Sequence, residues 1–193
     1  MASEVDICNS ALNQLGAASI TALTDNSKNA RLCNERYSTV RDAVYRSHPW
    51  NCLIKRQQLA QDAATPAYGF TYQFTLPSDC LRLLNLDAYN SDHKVEGRKI
   101  LCNEASIKIA YISQVTDPNI MDVLLRETIS AGIAADLGYA ITANLQVSKL
   151  MQEKYQFKLS EARHADASEG YNVDPSNGQV DQILTEDFLN SRY

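Results

Sequence analysis

The chain has 193 residues, which is enough for one domain with a core, or for one domain plus a small insertion. Its hydrophobic fraction of 45% and charged fraction of 21% are typical of an ordinary soluble globular protein. Its formal net charge of −5 comes from 18 Lys and Arg against 23 Asp and Glu. Without a block of consecutive basic residues, this balance argues against binding of nucleic-acid phosphates. No apolar run approaches the roughly 18 residues that a membrane span needs, and the N-terminus lacks the basic and apolar parts of a signal peptide.

Five cysteines are scattered through apolar stretches of the chain. None forms a Cys-x-x-Cys motif, and no histidine stands at a metal-ligand spacing from them, so a zinc site is not expected. Their odd number favours buried thiols in a reducing compartment over a disulfide framework. They are Cys8, Cys33, Cys52, Cys80 and Cys102.

Two amphipathic helices are predicted in the first fifty residues. The first runs from about Glu4 to Leu15, with Ser3 as its N-cap and Gly16 as its stop. The second begins near Ser27 and ends at His48, because the proline that follows disfavours helical geometry in the residue before it. Its buried face is expected at Leu32 or Cys33, Tyr37, Val40 and Val44, and its solvated face at Arg31, Glu35, Arg41, Asp42 and Arg46.

From Trp50 to about Ile112 the apolar period changes from about 3.6 to about 2, which predicts short strands. We expect an antiparallel meander that packs one face on helices or on a neighbouring subunit. Its last two strands are expected to pair with each other and to be joined near Asn103-Glu104. The predicted strands are Phe70–Leu76, a strand through Leu81, Leu83 and Leu86 after the Pro77-Ser78-Asp79 turn, Val95–Leu101 and Ile107–Tyr111.

The third helix is expected to open at Asp117-Pro118, with Asp as N-cap and Pro at the first helical position. Its small residues suggest close helix–helix approach, because Gly in a helix interior costs roughly 1 kcal/mol. The small residues are Ala131, Gly132, Ala134, Ala135 and Gly138, and the buried stripe is Leu124 or Leu125, Ile129, Ile133, Leu137 and Ala140 or Ile141.

A fourth helix should run from a cap at Asn144 to about Ala167, with its apolar side at Leu150, Met151, Tyr155 and Leu159. The helical spacing of apolar residues stops at Gly170. Residues 170–193 are polar and carry only a weak apolar set, which predicts a segment that is frayed or that docks on a partner. That set is Ile183, Leu184, Phe188, Leu189 and Tyr193.

No active-site motif appears among the titratable residues. The three histidines are far apart, and His48 is interpreted as a cation at the C-terminal pole of the second helix. Asp79 is close to Arg82 in the sequence, but we interpret it as an ordinary turn residue rather than a catalytic acid. Asp136 could be a buried acid with a shifted pKa, but a solvated or Arg-paired carboxylate is the better interpretation.

Three aromatic residues on the predicted strand, Phe70, Tyr72 and Phe74, could in principle stack on nucleic-acid bases. Their neighbours Thr71, Gln73 and Thr75 are uncharged, whereas single-strand binding also needs a basic groove. Core packing is therefore expected.

Three groups of residues follow one another along the chain. The first group is Leu15-Gly16, Ile20, Leu23, Asp25, Ala30-Arg31, Cys33, Tyr37, Arg41-Asp42, Tyr45-Arg46 and His48-Pro49-Trp50; the second is Tyr72, Phe74, Leu76-Pro77, Asp79 and Leu81-Arg82-Leu83; the third is Val95–Leu101, Tyr111 and Asp117-Pro118. In their order and spacing these groups resemble the tail tubular protein A family, the head–tail adaptors of short-tailed, podovirus-type bacteriophages. The resemblance covers about residues 4–168.

This resemblance implies an α+β, mainly helical structural protein without catalytic residues, cofactor or metal. It implies a four-helix bundle (1–51 and 114–169), a β-rich insertion (52–113) that holds the antiparallel β-meander, and an extended C-terminal arm (170–193). Twelve copies would form a ring in the neck of the virion. The portal protein above would bind the arm, while a tubular protein B-like tail nozzle and a tail fibre would lie below.

In such a ring, double-stranded genome DNA would pass through the centre without specific binding, and no membrane would be involved. An acidic chain suits a conduit, because neutralised phosphates would tether the passing DNA. Two alternatives remain open: a glycan hydrolase that uses Asp79 and Glu96 as its two carboxylates, and a small helical regulatory protein.

Overall fold

A computed structural model describes residues 2–87 and 92–169 of the chain. This part is α+β, with four α-helices and two three-stranded antiparallel sheets, and nearly half of it is helical. All six strands lie between the second and third helices. Within the described residues, no helix has the length and apolar character needed to cross a membrane.

Local capping defines the first two helices, α1 (Glu4–Gln14) and α2 (Lys28–Arg46). The Ser3 hydroxyl accepts a hydrogen bond from the Asp6 backbone N–H, and the Asp6 carboxylate accepts one from the Ser3 N–H, so a complete capping box starts α1. The Ser27 hydroxyl accepts from the N–H of Ala30 and starts α2. Both predicted starts are confirmed.

The third helix, α3 (Val123–Thr142), begins five residues later than expected. The Asp117 carboxylate accepts from the backbone N–H of Asn119 at 2.9 Å and closes a turn instead of opening a helix. Asp122 is the actual N-cap, because its carboxylate accepts from the N–H of Leu124 at 2.7 Å. The predicted start at Asp117-Pro118 is therefore wrong.

The fourth helix, α4 (Leu145–Glu169), follows Ala143, which has a positive φ of 51°. Asn144 caps the helix as predicted, accepting from the N–H of Gln146 at 2.9 Å. Met151 and Leu159 are buried, but Leu150 is 57% exposed. Leu150 was wrongly assigned to the buried side of this helix.

The small residues of α3 allow the helices to approach closely. A Cβ at Gly132 would lie 3.0 Å from Val40 Cγ1 of α2 and 3.2 Å from Tyr155 Cε2 of α4. The packing role predicted for this residue is confirmed. The predicted stripe is buried at Leu125, Ile129, Ile133 and Leu137.

Each sheet combines strands that are distant in sequence. One has the order β1-β6-β3 and the other β2-β5-β4. The expected meander is not found, because only β4 and β5 are both consecutive in the chain and paired. The strands are β1 (Ile54–Leu59), β2 (Tyr72–Thr75), β3 (Cys80–Leu86), β4 (His93–Glu96), β5 (Lys99–Cys102) and β6 (Ile107–Ser113).

Two details of the predicted strands are corrected. Residues 95–101 are not one strand, because Gly97, at φ +61°, turns the chain between β4 and β5. Positive φ suits glycine, which has no Cβ to clash. The expected pairing of the two last strands is also wrong, because β5 pairs with β2 whereas β6 pairs with β1 and β3.

Strand β6 connects two hydrophobic cores. Ile112 is buried in the core formed with the helices, whereas Ile107, Ile109 and Tyr111 are buried in the core between the strands. Phe74 is fully buried in the second core and Tyr72 packs against it. The packing role expected for these two aromatic residues is confirmed.

Candidate functional site

The residues assigned to the C-terminal arm lie outside the described residues. These are Ile183, Leu184, Phe188, Leu189 and Tyr193. The described chain ends with α4 at Glu169, so the position of that end shows where the following segment leaves the fold.

The C-terminal end of α4 is attached to the segment that follows α2. The Asp166 carboxylate accepts from the backbone N–H of Asn51 at 3.0 Å and lies 3.1 Å from His48 Nε2. Arg163 donates to the Ser47 carbonyl at 2.9 Å. The chain after Glu169 therefore starts beside the junction between the helices and the sheets.

His48 does not cap α2 as expected. The helix ends at Arg46, with Ser47 as its C-cap. The His48 ring instead packs edge-on against Trp50, with centroids 4.8 Å apart, and faces Asp166 of α4. Its role is to join α4 to the end of α2.

Large apolar side chains are exposed on the outer surface of α4. Leu150 and Phe157 are 57% and 68% exposed, and their seven-residue spacing places them on one line along the helix, about 10 Å apart. We call this pair the α4 apolar face. Further exposed apolar residues stand at the ends of α3 and at the start of α4: Ile120, Val123, Tyr139 and Leu145.

An open groove of about 660 Å³ lies between α2 and α4, with Gly132 of α3 in its floor. At its edge Arg36 and Asp136 form a bidentate pair, with Nε–Oδ2 at 2.6 Å and Nη2–Oδ1 at 3.1 Å. The Arg-paired interpretation of Asp136 is confirmed. The Asp136 carboxylate, through this hydrogen bond, raises the pKa of Arg36.

The two carboxylates that a glycan hydrolase would use here, Asp79 and Glu96, each pair with a lysine. Asp79 Oδ2 lies 2.8 Å from Lys55 Nζ, and its other oxygen accepts from the Tyr111 hydroxyl at 3.1 Å. The hydrogen bond from Lys55 holds the pKa of Asp79 below its usual value, whereas a general acid in such a site needs a raised pKa. Glu96 pairs with Lys94 on the exposed strand β4.

A buried arginine was missed by the sequence interpretation. Arg41, expected on the solvated face of α2, has a side chain only 5% exposed. Its guanidinium lies 5.6 Å from the Tyr37 ring centroid and 5.9 Å from that of Tyr45, and pairs with Asp42 at 2.8 Å. The sequence signal for this burial was the Tyr-x-x-x-Arg-x-x-x-Tyr spacing, because residues four apart lie on the same face of a helix.

All five thiols are free, and four are buried. The expectation of buried cysteines holds for these four, whereas Cys52 is only half-buried. Among residues 2–87 and 92–169, no group of three or more His, Cys, Asp or Glu side chains is placed to hold a metal ion.

The chain was also compared with known proteins. No protein-family model matches it, and no curated protein matches it.

Proposed function

We propose that this protein is a head–tail adaptor of a short-tailed bacteriophage, a structural virion protein without catalytic activity. In this proposal twelve copies form a ring between the portal protein and the tail nozzle, and genome DNA passes through the ring during ejection. The helices form the bundle, residues 52–113 the insertion, and residues 170–193 the arm that binds the portal. The order and spacing of the motifs over residues 4–168 support this assignment.

The α4 apolar face is the observation that carries the proposal. Leu150 and Phe157 lie outside a helical core that is already filled by residues such as Leu125, Ile129 and Ile133. Exposed apolar area is unfavourable by about 25 cal/mol per Å² relative to burial, so two large exposed apolar side chains aligned on one helix favour a partner that covers them. A subunit that is completed by neighbouring copies would have such a face.

Three further features agree with an assembly role. The groove between α2 and α4 adds concave surface next to this face. Val123 and Tyr139, near the two ends of α3, are further large apolar side chains that are more than half exposed. The net charge of −5 avoids tethering DNA phosphates in a conduit.

Assembly tests the proposal directly. The full chain is mixed with the portal protein encoded in the same genome, and the products are examined by light scattering and electron microscopy. We expect a ring on the portal vertex. Replacing Leu150 and Phe157 by Asp should abolish ring formation while the far-ultraviolet circular dichroism spectrum stays unchanged.

Tyr68 supplies the matched control, because it is 89% exposed but lies in the segment between β1 and β2. Tyr68→Asp should assemble as the unmodified protein does. A chain that stays monomeric with and without portal, at concentrations well above those in an infected cell, would refute the adaptor assignment.

A further inference from the structure

Three arginines converge on the turn that leads into β3. Arg46, at the end of α2, donates to the Leu81 carbonyl, and Arg82 donates back to the Arg46 carbonyl at 3.3 Å. Arg98, in the turn between β4 and β5, donates to the carbonyls of Pro77 and Ser78. We call Arg46, Arg82 and Arg98 the arginine cluster.

The cluster has positive charge without a carboxylate partner. Across the described ranges 2–87 and 92–169, no Asp or Glu lies within ion-pair distance of any of the three guanidinium groups. The acidic residue of the turn, Asp79, is already held by Lys55 and Tyr111. A guanidinium has five N–H donors, so each arginine keeps donors beyond those given to backbone carbonyls.

The charges of the cluster act on a shared neighbour. Burial raises the pKa of the Cys80 thiol and the Asp79 carboxylate adds to that increase, whereas the positive charges of Arg98 and Arg46 both oppose it. The two side chains, which come from different parts of the chain, therefore lie close to the same point. Arg46 and Arg98 are exposed and Arg82 is half-buried, which leaves the cluster accessible to a ligand.

The end of α4 is held to the segment that follows Arg46, one of the three arginines. Asp166 and Arg163 contact residues 47–51, which directly follow Arg46. The segment 170–193 therefore continues from a helix end that is held close to the backbone that follows Arg46. A segment of this length, extended at about 3.4 Å per residue, spans roughly 80 Å, so it can reach all three arginines.

Residues 170–193 have the complementary charge. They contain four acidic residues and a single basic one, Arg192. This segment therefore contributes −3 of the net charge of −5. The acidic residues are Asp174, Asp181, Glu186 and Asp187.

We propose that the arginine cluster is a carboxylate-binding site and that its ligand is the acidic segment 170–193 of the same chain. Guanidinium groups bind carboxylates through paired, charge-assisted N–H···O bonds. The contact goes beyond the adaptor role and is made by the free chain before any partner binds.

Hydrogen exchange of the full chain measures this contact. Exchange of peptides from residues 170–193 is compared with that of a synthetic peptide of the same sequence, at low and at high salt. We expect protection in the chain at low salt and its loss at high salt, because salt screens exposed ion pairs. Protection should not depend on protein concentration, since the ligand is intramolecular.

Substitutions on both sides of the contact should have the same effect. Arg82→Gln and Arg98→Gln, separately, should each lower the protection, by roughly threefold if each removes one exposed ion pair. A variant in which all four acidic residues of the segment are replaced by their amides should lose the protection altogether. None of these substitutions, at Asp174, Asp181, Glu186 and Asp187, lies within the described fold. Arg31→Gln is the matched control, because Arg31 is exposed at the other end of α2 and should leave the exchange unchanged.

Unchanged exchange in the cluster variants and in the amide variant would overturn the proposal. A second pair of results would also overturn the proposal, in favour of a phosphate-binding site. In that case Arg82→Gln would bind a short DNA duplex more weakly than the unmodified protein, while the amide variant would show unchanged hydrogen exchange. Ring formation on the portal is scored separately. Failure to form rings would refute the adaptor role but not this contact. Unprotected exchange in residues 170–193 would refute this contact but not the adaptor role.

Discussion

Gly132 of α3 lies so close to Tyr155 of α4 that an added Cβ would require the neighbouring side chains to shift. A Cβ at residue 132 would come within 3.2 Å of the Tyr155 ring and within 3.0 Å of Val40 on α2. Three helices therefore meet at a residue that has no side chain, and this meeting point forms the floor of the groove between α2 and α4.

Gly132→Leu should destabilise the protein by about 2–3 kcal/mol, because overpacking a filled interface outweighs the gain of roughly 1 kcal/mol in helix propensity. The free energy of unfolding in urea measures this loss. Ala140→Leu adds a larger side chain to the exposed surface of the same helix, and the expected change is within about 0.5 kcal/mol. Equal effects of the two substitutions would mean that the three helices do not meet at Gly132.

Arg41→Ala should cost about 3 kcal/mol, because it leaves the partners of a buried charge unpaired and removes a side chain packed against Tyr37 and Tyr45. Urea denaturation again gives the free energy of unfolding. Arg31→Ala, on the exposed surface of α2, serves as the control and should change it by less than about 0.5 kcal/mol. A small effect at both positions would show that Arg41 is not in the interior.

Asp79 makes a pH-dependent contribution to stability. Its pKa in the folded chain is lowered by the hydrogen bond from Lys55 and, secondarily, by that from Tyr111. The contribution is therefore complete above the unfolded pKa of about 3.9 and is lost as the pH falls through the lower folded pKa.

Asp79→Asn should accordingly be less stable than the unmodified protein at neutral pH, and the difference should shrink on acidification. Urea midpoints across the acid range measure this difference. Glu161→Gln, which removes an exposed charge paired with Lys158, should give little difference at any pH. A constant difference between Asp79→Asn and the unmodified protein would contradict the ionic partnership with Lys55.

Asp166→Ala should loosen the attachment of α4 to the end of α2. It removes the acceptor for the Asn51 N–H and the partner of His48, at a cost of about 1–3 kcal/mol. Hydrogen exchange should increase in the peptides around residues 47–53 and 160–169 and stay unchanged in β6. Uniform exchange changes over the whole chain would instead indicate global destabilisation.

The starts of three helices could be predicted because capping is local. Ser3, Ser27 and Asn144 each accept from an N–H two or three residues away, so the necessary partners stand side by side in the sequence. The start of α3 could not be chosen in the same way. Asp117 and Asp122 have the same chemistry, and packing of Leu125 into the core decides between them.

Strand pairing and the exposure of single residues required the tertiary structure. Strand β1 was not predicted because, as an edge strand, it exposes four consecutive polar residues, 55–58. Its partner β6 is about fifty residues further along the chain. The burial of Arg41 and the exposure of Leu150 likewise depend on which helices cover each face.

The amino-acid sequence alone determined the starts of α1, α2 and α4 and the apolar stripe of α3, since those preferences come from contacts within about four residues. It also determined the acidity of residues 170–193. Only the tertiary structure decided that β6 joins two cores and that three arginines from distant parts of the chain gather around the start of β3. Those arrangements depend on contacts between residues far apart in sequence, whose choice of partner no local pattern specifies.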